Sequence, residues 1–555
     1  MIEVTGVKVP VTSLDGSDET ELRAVRAALL RKLRLSPQDL LSIELRRRSI
    51  DARKRDAIFV TYTTRIHLSG EANAEASLLG RLAKRHADGG VSRASETPFS
   101  LPASTGEVAS ERPIVVGAGC AGLFCALALA RAGLEPLLVE RGDNAVRRGR
   151  VVTLHNETGV LDPECNIQYG VGGAGTFSDG KLQTGTKSAS HRFILETFVE
   201  AGAQRRILWD AKPHVGSDVL PSVVTNIVRM IEGAEGEVRC RCKLTDIGTE
   251  DGAVHSVTLE TRDAEGGLRE ERVAASCVIL ACGHSARDVF ELLRDRGVSM
   301  ERKTFAMGVR IEHLQADVDA ALYGRSAGHP ALGAAPYKLA VHLPSGRSAF
   351  SFCMCPGGFV VSAASEPGGV VTNGMSLSDR AGENANAGLL ANVFPDDLPG
   401  DDVLAGVRLQ RDCEQAAFAA GGGAYVAPAQ LVGDFLQGVP SSGGGHVRPT
   451  YPRGVAWGDI ASCLPDYVWQ TIRDALPLME RRLRGFSAAD AVLTGVETRS
   501  SAPVRVTRGD DGQSVSTRGL WPCGEGAGYA GGIMSAAADG IHTAELVVAS
   551  LRQPR

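Results

Sequence analysis

The 555-residue sequence lacks a long apolar run, a strong net charge and a recognisable targeting segment. Its longest apolar stretch is rich in glycine and is interrupted at Arg131, so we expect no membrane-spanning helix. Residues 1–6 have the pattern of a folded strand rather than of a charged and then apolar signal, which favours a cytoplasmic protein. The net charge of -5 gives no reason to expect a nucleic-acid partner.

The twelve cysteines show no spacing that is typical of metal sites. No Cys-x-x-Cys pair occurs, and no histidines stand at zinc-finger distance from a cysteine pair, so we expect no metal. The apolar content of 43% and the charged content of 23% are those of an ordinary globular chain, which excludes a disordered or fibrous protein. A chain of this length is expected to form about two to four domains.

What the sequence does contain is a glycine pattern in a specific context. An apolar run beginning at Ile114 leads into Gly117, Gly119 and Gly122, which are spaced as G-x-G-x-x-G. An alanine-rich helical segment follows, and then a second apolar run that ends at Glu140. Strand, glycine turn, helix, strand and acid in this order form the dinucleotide-binding fingerprint. Phosphates would lie at the N-terminus of the helix, and Glu140 would accept hydrogen bonds from a ribose.

The first 90 residues are predicted to form a separate unit. Their strand and helix patterns follow the order β-α-β-β-α, which predicts a small ferredoxin-like α+β domain, without iron because no cysteine precedes Cys120. Residues 91–111 are rich in Ser, Gly, Pro and Thr and are predicted to be a linker. The arginine-rich segment 46–55 is either an anion-binding surface or a solvated hairpin face, and we favour the solvated face.

The rest of the chain is predicted to divide between a dinucleotide-binding domain and a second domain inserted into it. The binding domain comprises residues 112–299 and a C-terminal part, 489–555, whose helix is predicted over 533–548. Residues 300–488 are predicted to form a substrate domain built on a mixed sheet. Within it, segment 381–449 is too rich in glycine for strands to be assigned.

Two later segments resemble parts of a known superfamily. The apolar strand that ends at residues 281–283, and the glycine-rich segment 519–534, are similar to the segments that complete the FAD site in flavoproteins of the glutathione-reductase type. Cys282 departs from that pattern, because threonine is usual at its position. The fingerprint alone does not distinguish NAD from FAD, and this resemblance implies FAD.

The resemblance extends over nearly the whole chain and narrows to one family. The chain is similar to a family of bacterial FAD-dependent dehydrogenases, which is distantly similar to geranylgeranyl reductases and flavin hydroxylases. Besides the glycine-rich C-terminal segment, the landmarks are residues 49–53, 172–182, 351–358 and 495–505. The resemblance implies an α/β fold in which a Rossmann-like FAD-binding domain is joined to the mixed-sheet substrate domain.

The fingerprint and the resemblance together predict the residues that contact the cofactor. Glycines would let the backbone approach the ligand, acids would accept hydrogen bonds from ribose and ribityl hydroxyls, and Leu244 would lie near the adenine. The predicted cofactor positions are Gly117, Gly119, Gly122, Glu140, Arg141, Leu244, Gly283, Gly524, Glu525, Gly532 and Ile533.

Loops that are expected to face the flavin supply the candidates for catalysis. Asp179 could relay a proton and Lys181 could hold an anion, or both could be turn residues that contact the cofactor. Cys353 and Cys355 precede a Pro-Gly-Gly loop, with their side chains expected on the same side of a strand end. They would form a wall of the substrate pocket or, in the less favoured hypothesis, act as redox or nucleophilic thiols.

The predicted function is an FAD-dependent oxidoreductase that transfers a hydride between flavin N5 and a small organic substrate. No second complete G-x-G-x-x-G unit stands in a strand–helix context, so electrons would come from NAD(P)H that binds transiently or from a protein donor. Two alternatives stay open. One is an FAD-dependent monooxygenase, and the other is a non-catalytic flavin-binding or RNA-associated protein that works through the N-terminal unit.

Overall fold

The computed structural model describes residues 1–70, 73–84, 89–95, 99–101, 111–263 and 265–551. The strands in chain order are Ile2–Pro10 (β1), Leu40–Asp51 (β2), Phe59–Leu68 (β3), Val91–Arg93 (β4), Ile114–Val116 (β5), Leu137–Glu140 (β6), Glu237–Cys240 (β7), Cys242–Glu250 (β8), Ala253–Arg262 (β9), Leu268–Ala274 (β10), Val278–Leu280 (β11), Met300–Arg302 (β12), Phe305–Leu314 (β13), Ala340–His342 (β14), Ser348–Cys355 (β15), Gly358–Ser362 (β16), Thr372–Ser376 (β17), Asn384–Val393 (β18), Ala427–Leu431 (β19), Val455–Trp457 (β20), Val492–Glu497 (β21), Val504–Val506 (β22) and Leu520–Pro522 (β23). The α-helices are Asp18–Leu33 (α1), Ala74–Lys84 (α2), Cys120–Arg131 (α3), Ala145–Thr158 (α4), Ser190–Glu200 (α5), Leu220–Glu232 (α6), Arg287–Asp295 (α7), Gln315–Tyr323 (α8), Ala405–Ala420 (α9), Val432–Gln437 (α10), Asp466–Glu480 (α11) and Ile533–Leu551 (α12).

The N-terminal unit is an antiparallel sheet, in the order β2-β3-β1-β4, with two helices. Helix α1 begins after Ser17, whose side chain accepts a hydrogen bond from the Thr20 amide, and it buries Val25 and Leu29. Strand β4 lies within residues 91–111, so the prediction of a linker is wrong at its start. The strand escaped prediction because it is three residues long and has one buried position.

A five-stranded parallel sheet, in the order β23-β11-β5-β6-β7, follows the N-terminal unit. Its inner strands are short, apolar and buried on both faces, as is typical of parallel sheets. Arg241 adopts a left-handed conformation with φ 57° and separates the parallel edge strand β7 from β8. Strand β8 pairs instead with β9 in a small antiparallel sheet.

The seven-stranded mixed sheet has the order β14-β15-β18-β13-β21-β19-β20. Its interior strand β18, which lies between β15 and β13, falls in segment 381–449, where the sequence left strands unassigned. The strand is composed of Asn, Ala, Gly, Leu and Val and is buried along almost its whole length, so it shows no polar–apolar alternation. Strand β21 belongs to this sheet as well, although residues 489–555 were predicted to lie in the binding domain. The sheet therefore extends past the predicted boundary.

A buried ion network joins the two large sheets. Glu414 on α9 accepts hydrogen bonds from Arg287 at the start of α7, with a shortest N–O distance of 2.7 Å, and from Arg499 just after β21, also at 2.7 Å. The side chains of all three residues are at most 3% exposed. Burial disfavours the charged carboxylate, but the two guanidinium groups outweigh it and hold the Glu414 pKa far below its usual range. These contacts fix one sheet against the other.

None of the helices in the described part of the chain is both long enough and apolar enough to cross a membrane. Among the same residues, no three His, Cys, Asp or Glu side chains are grouped so that they could hold a metal ion.

Candidate cofactor site

A cavity of about 1010 Å³, part of which is open to solvent, lies where the fingerprint turn, residues 172–175 and the start of α12 meet. It is adjacent to the carboxyl ends of β5, β6 and β11, which is where ligands bind in open parallel sheets. All the predicted cofactor positions except Gly122 and Gly524 line it, namely Gly117, Gly119, Glu140, Arg141, Leu244, Gly283, Glu525, Gly532 and Ile533.

The three fingerprint glycines have different geometric roles. Gly117 has φ 100°, and a Cβ atom there would lie 2.5 Å from the Ala281 carbonyl oxygen. A Cβ at Gly122 would lie 1.8 Å from the Gly117 carbonyl oxygen, so Gly122 permits close packing of α3 although it does not line the cavity. At Gly119 the nearest atom to such a Cβ is 3.9 Å away, across open space. The first and last glycines therefore shape the turn, and the middle one leaves room for a ligand.

The Glu140 carboxylate is already held by the backbone. It accepts hydrogen bonds from the amides of Ala118 and Gly142, each at 2.8 Å, and of Gly170 at 2.9 Å. The residue is buried and lines the cavity. Two carboxylate oxygens can accept about four hydrogen bonds, so one acceptor position is left for a ribose hydroxyl. The Glu140 side chain therefore links the fingerprint turn, the residues just after β6 and the loop that contains Gly170.

Sequence reasoning missed Arg148, which is fully buried on α4. Its guanidinium donates to the carbonyl oxygens of Asn166 at 2.9 Å, Ile167 at 2.6 Å and Val171 at 2.9 Å. Gly170 has φ 125°, and a Cβ there would lie 2.3 Å from Arg148 Cδ. Burial lowers the pKa of Arg148 to about 10. One of three arginines in a polar helix gives no sequence signal for this role, although it fixes the loop that leads to the cavity.

Arg141 lines the cavity, as Leu244 does. Its guanidinium forms ion pairs with Glu164 at 2.7 Å and Asp288 at 2.9 Å, and it stacks over the Tyr169 ring at 4.2 Å from the ring centroid. The two carboxylates raise the Arg141 pKa despite the opposing effect of burial. The arginine is therefore a rigid wall of the cavity, with its charge neutralised by protein groups.

Glu525 and His284 also line the cavity and face each other, with 3.8 Å between the Glu525 carboxylate and His284 Nδ1. Burial lowers the His284 pKa below its ordinary value, so the imidazole is neutral near neutral pH. His284 Nε2 is buried and has no hydrogen-bond partner among the described residues. A neutral imidazole that lines a cavity with one free nitrogen can bond to a ligand there.

Gly524 does not line the cavity but anchors the loop that does. Its amide donates to the Asp539 carboxylate of α12 at 2.7 Å, and the same carboxylate forms an ion pair with Arg508 at 2.6 Å. The Arg508 guanidinium lies 3.9 Å from the centroid of the Tyr529 ring, which belongs to the same loop. These contacts fix the glycine-rich segment against the helix that begins at Ile533.

None of the four catalytic candidates lines this cavity. Asp179 is buried, bonds to the Ser376 hydroxyl and forms an ion pair with Arg380 at 2.5 Å. Lys181 Nζ donates to the Met354 carbonyl oxygen and lies 3.7 Å from Asp179. The structure thus brings Asp179 and Lys181 together with the strand that carries the two cysteines.

Cys353 and Cys355 do not point the same way, which corrects the expected strand-end geometry. Cys353 has φ 39° at an irregularity in the pairing of β15, so it is exposed, whereas Cys355 is buried. Both thiols are free. Burial raises the pKa of the Cys355 thiol, which disfavours a reactive thiolate at that position.

Comparison with known proteins identifies three regions of the chain. A family model described as an FAD binding domain matches residues 112–161, and one described as FAD-dependent protein, C-terminal domain-like, matches residues 304–500. A domain of unknown function matches residues 1–67. The match over residues 304–500 ends just after β21, which is the last strand of the seven-stranded sheet along the chain.

Solved flavoprotein structures are similar at low identity. A glycerol-3-phosphate dehydrogenase from Bacillus halodurans complexed with FAD is 11% identical, with 80% of this chain and 66% of that chain covered and a TM-score of 0.36. A geranylgeranyl bacteriochlorophyll reductase-like protein from Thermoplasma acidophilum is 12% identical, with 79% and 78% covered and a TM-score of 0.33. This chain spans about two thirds of the Bacillus halodurans enzyme.

The parallel sheet, its glycine turn and the matched binding domain define an FAD-dependent protein with a mixed α/β fold. An uncharacterised protein of Clostridium beijerinckii is 40% identical over 548 residues, which are 99% of this chain and 100% of that protein. The chain belongs to the same family as this clostridial protein.

Proposed function

We propose that this protein is an FAD-dependent dehydrogenase or reductase that transfers a hydride between flavin N5 and a small organic substrate. The observation that carries the proposal is a cavity bordered by the first residues of two helices, Cys120 of α3 and Ile533 of α12. Unpaired amides and the helix dipole favour negative charge at both places. The pyrophosphate of FAD would lie at the start of α3, and the flavin at the start of α12.

The residues present fit FAD. A Cβ atom built at Gly283 or Gly532 meets no atom within 4 Å, and at Gly119 the nearest atom is 3.9 Å away. These glycines therefore border open space from three separate loops, as expected where backbone must approach a ligand closely. Glu140 keeps one acceptor position for a ribose hydroxyl, and Glu525 offers a half-buried carboxylate to the ribityl chain.

When bound, FAD supplies the hydride chemistry at N5, and the protein supplies orientation and electrostatics. The N-terminus of α12 would favour negative charge on a ligand that lies beside it. The neutral His284 would be able to bond to a ligand through Nε2, which no described residue engages. Arg141 and Tyr169 are stacked on each other and form part of the cavity wall.

We further propose that electrons arrive from NADH or NADPH that binds transiently, or from a protein donor. One glycine fingerprint supports one permanently bound dinucleotide, which is assigned to FAD. For the N-terminal unit we propose a ferredoxin-like fold, which the strand order β2-β3-β1-β4 with two helices supports.

Anaerobic reduction tests the proposed activity. The FAD-loaded protein is mixed with NADH or NADPH in the absence of oxygen, and the absorbance of oxidised flavin is followed. We expect one nucleotide to bleach the flavin, and one class in a panel of organic oxidants to restore it without oxygen. If both nucleotides and every member of a metabolite panel leave the flavin oxidised, while dithionite reduces it, the dehydrogenase assignment is wrong. Reoxidation that requires oxygen and hydroxylates a substrate would indicate a monooxygenase instead.

A further inference from the structure

Cationic side chains from three segments meet close to the loop that borders the cofactor cavity. The loop lines the cavity at residues 172–175 and continues to Lys181. Lys181 forms an isolated antiparallel bridge with His214, two residues beyond Lys212. Arg380 approaches from the turn after β17 and bonds to Asp179. We call Lys181, Lys212 and Arg380 the cationic cluster.

The protein neutralises this cluster incompletely. Asp179 accepts hydrogen bonds from Arg380 at 2.5 Å and from the Ser376 hydroxyl, and it lies 3.7 Å from Lys181. Lys212 forms no hydrogen bond or ion pair with any residue that the structure describes. Lys212 is exposed, and the protein atoms around it together with the positive charges of Lys181 and Arg380 lower its pKa. Three cations thus repel one another around one committed carboxylate.

The other titratable groups nearby do not remove the excess charge. Asp218 is engaged by the amide and the hydroxyl of Ser378, at 2.8 and 2.6 Å. Burial and the charge of Arg380 lower the His214 pKa, so its imidazole is neutral near neutral pH. Glu497 forms an ion pair with Arg310 at 2.9 Å, which leaves it no charge to offer the cluster.

The two lysines have free donors. An ammonium group has three N–H donors, and Lys181 directs one of them to the Met354 carbonyl oxygen. Lys212 is exposed and has all three free toward the described residues. Their geometry and charge suit oxygen atoms of an anion, because hydrogen bonds between ionised partners are about twice as strong as neutral ones.

Cys353 lies beside Lys181. The residue is exposed, and the carbonyl oxygen of the next residue, Met354, accepts a hydrogen bond from Lys181 Nζ. Arg310 donates to the Cys353 carbonyl oxygen at 3.1 Å. Both a thiol reagent and a ligand can therefore reach the surface next to Lys181 from solution.

We propose that the cationic cluster binds a carboxylate or phosphate group of the substrate. That the anion belongs to a substrate rests on the proposed function. The binding of an oxyanion is argued from the contacts around Lys181, Lys212 and Arg380. An organic acid or a phosphorylated compound has the chemistry that this cluster recognises. The anionic group would anchor the molecule at the cluster, and the rest would extend along the loop toward the cofactor cavity.

Cys353 provides a direct test, because it is the exposed cysteine among the twelve. The FAD-loaded protein is labelled with a sulfonate-bearing and with a trimethylammonium-bearing methanethiosulfonate of similar size. Both reagents need the thiolate, so the ratio of their rates is independent of the Cys353 pKa and reports the local potential. We expect the ratio of anionic to cationic reagent to exceed that of free cysteine by more than about threefold at low salt. Cys353→Ser identifies the labelled site.

Single-lysine variants test whether the cationic cluster is the source of the electrostatic potential at Cys353. Lys181→Gln and Lys212→Gln should each lower the ratio by about threefold or more, and Lys181→Arg should preserve it. Lys187→Gln is the control, because Lys187 is exposed in the same connecting segment and is not part of the cluster. A ratio equal to that of free cysteine, or one that neither glutamine variant changes, would overturn the proposal.

Protection then tests binding and distinguishes the two sources of the oxyanion. Labelling of Cys353 by neutral methyl methanethiosulfonate is measured against increasing sodium phosphate or sodium malonate, at ionic strength held constant with sodium chloride. We expect one of the two anions to slow labelling saturably by at least about threefold, in the native protein and in Lys187→Gln but not in Lys212→Gln. Protection by phosphate indicates a phosphorylated compound, and protection by malonate an organic acid.

If neither anion protects, the cluster has no oxyanion site and the proposal is wrong. These measurements do not depend on turnover. A protein that passes them but whose flavin no substrate oxidises or reduces would refute the proposed function and leave the oxyanion site standing.

Discussion

The cofactor cavity and the seven-stranded sheet are stabilised by different chemistry. Around the cavity, backbone groups and glycines dominate. The Glu140 carboxylate is held by three amides, and Gly117 and Gly122 admit contacts that no side chain could. The apolar core of the seven-stranded sheet also contains a buried ion pair, Arg310 with Glu497 at 2.9 Å. Close backbone contacts are disrupted when a substitution adds atoms, whereas a buried ion pair is disrupted when a substitution removes a charge. We therefore expect the cofactor region to be damaged by a larger side chain and the buried ion pairs to be damaged by a neutral one.

The largest effect is expected from Glu414→Gln, which removes the carboxylate shared by Arg287 and Arg499. Breaking a buried ion pair from one side costs about 3–5 kcal/mol, because the remaining charges stay desolvated. Denaturant unfolding of the FAD-loaded protein measures the loss. Glu19→Gln, which removes an exposed partner of Arg23, is the control and should cost less than about 1 kcal/mol. Equal losses in the two variants would show that the network does not join the sheets.

The cofactor region is tested by adding one methyl group. In Gly122→Ala the new Cβ would lie 1.8 Å from the Gly117 carbonyl oxygen, so the turn must open and FAD retention should fall by at least about tenfold. Gly149→Ala is the matched control, because Gly149 lies inside α4 with no atom within 4 Å of the new Cβ. It should stabilise the protein by about 0.5–1 kcal/mol, as alanine does in helices. Normal FAD retention in folded Gly122→Ala would contradict the assigned turn geometry.

A third substitution removes charge at the cavity. Glu525→Ala should weaken FAD retention by about 1–3 kcal/mol without unfolding the protein, because a carboxylate acceptor for the ribityl chain is lost. Equilibrium dialysis of FAD against the reconstituted variant measures it. Unchanged affinity would reject the role of Glu525.

The last prediction concerns pH, and its effect on stability is small within any one pH unit. Burial raises the Glu497 pKa to about 7 despite Arg310, so the folded protein binds a proton that the unfolded chain has lost. Between about pH 4.5 and 7 the contribution of Glu497 to stability therefore decreases as pH rises, by up to roughly 1 kcal/mol per pH unit. Glu497→Gln, which resembles the protonated form, should lack this component. The check is the thermal midpoint of the native protein and of Glu497→Gln, measured from pH 5 to 8. If the two midpoints change in parallel with pH, Glu497 does not titrate in this range.

The same contrast explains what the sequence could predict. The glycine fingerprint was predicted, and nine of the eleven predicted cofactor positions line the cavity, because most of them stand in short motifs whose residues are close in sequence. Cofactor contacts at those positions stay predictions. Strand β18 and the roles of Arg148 and Glu414 could not be predicted, because they depend on burial and on partners distant in sequence. The alternation rule also failed at Cys353, where a pairing irregularity with positive φ turns one thiol outward.

The most direct test of the central claim is the identity of the flavin that the purified protein releases on denaturation. We propose that the glycine turn holds the pyrophosphate of FAD and that Glu140 bonds to its adenosine ribose, and FMN contains neither of these groups. Chromatography should therefore show FAD, in a ratio near one per chain after reconstitution. Release of FMN, or no flavin after incubation with FAD, would contradict the account.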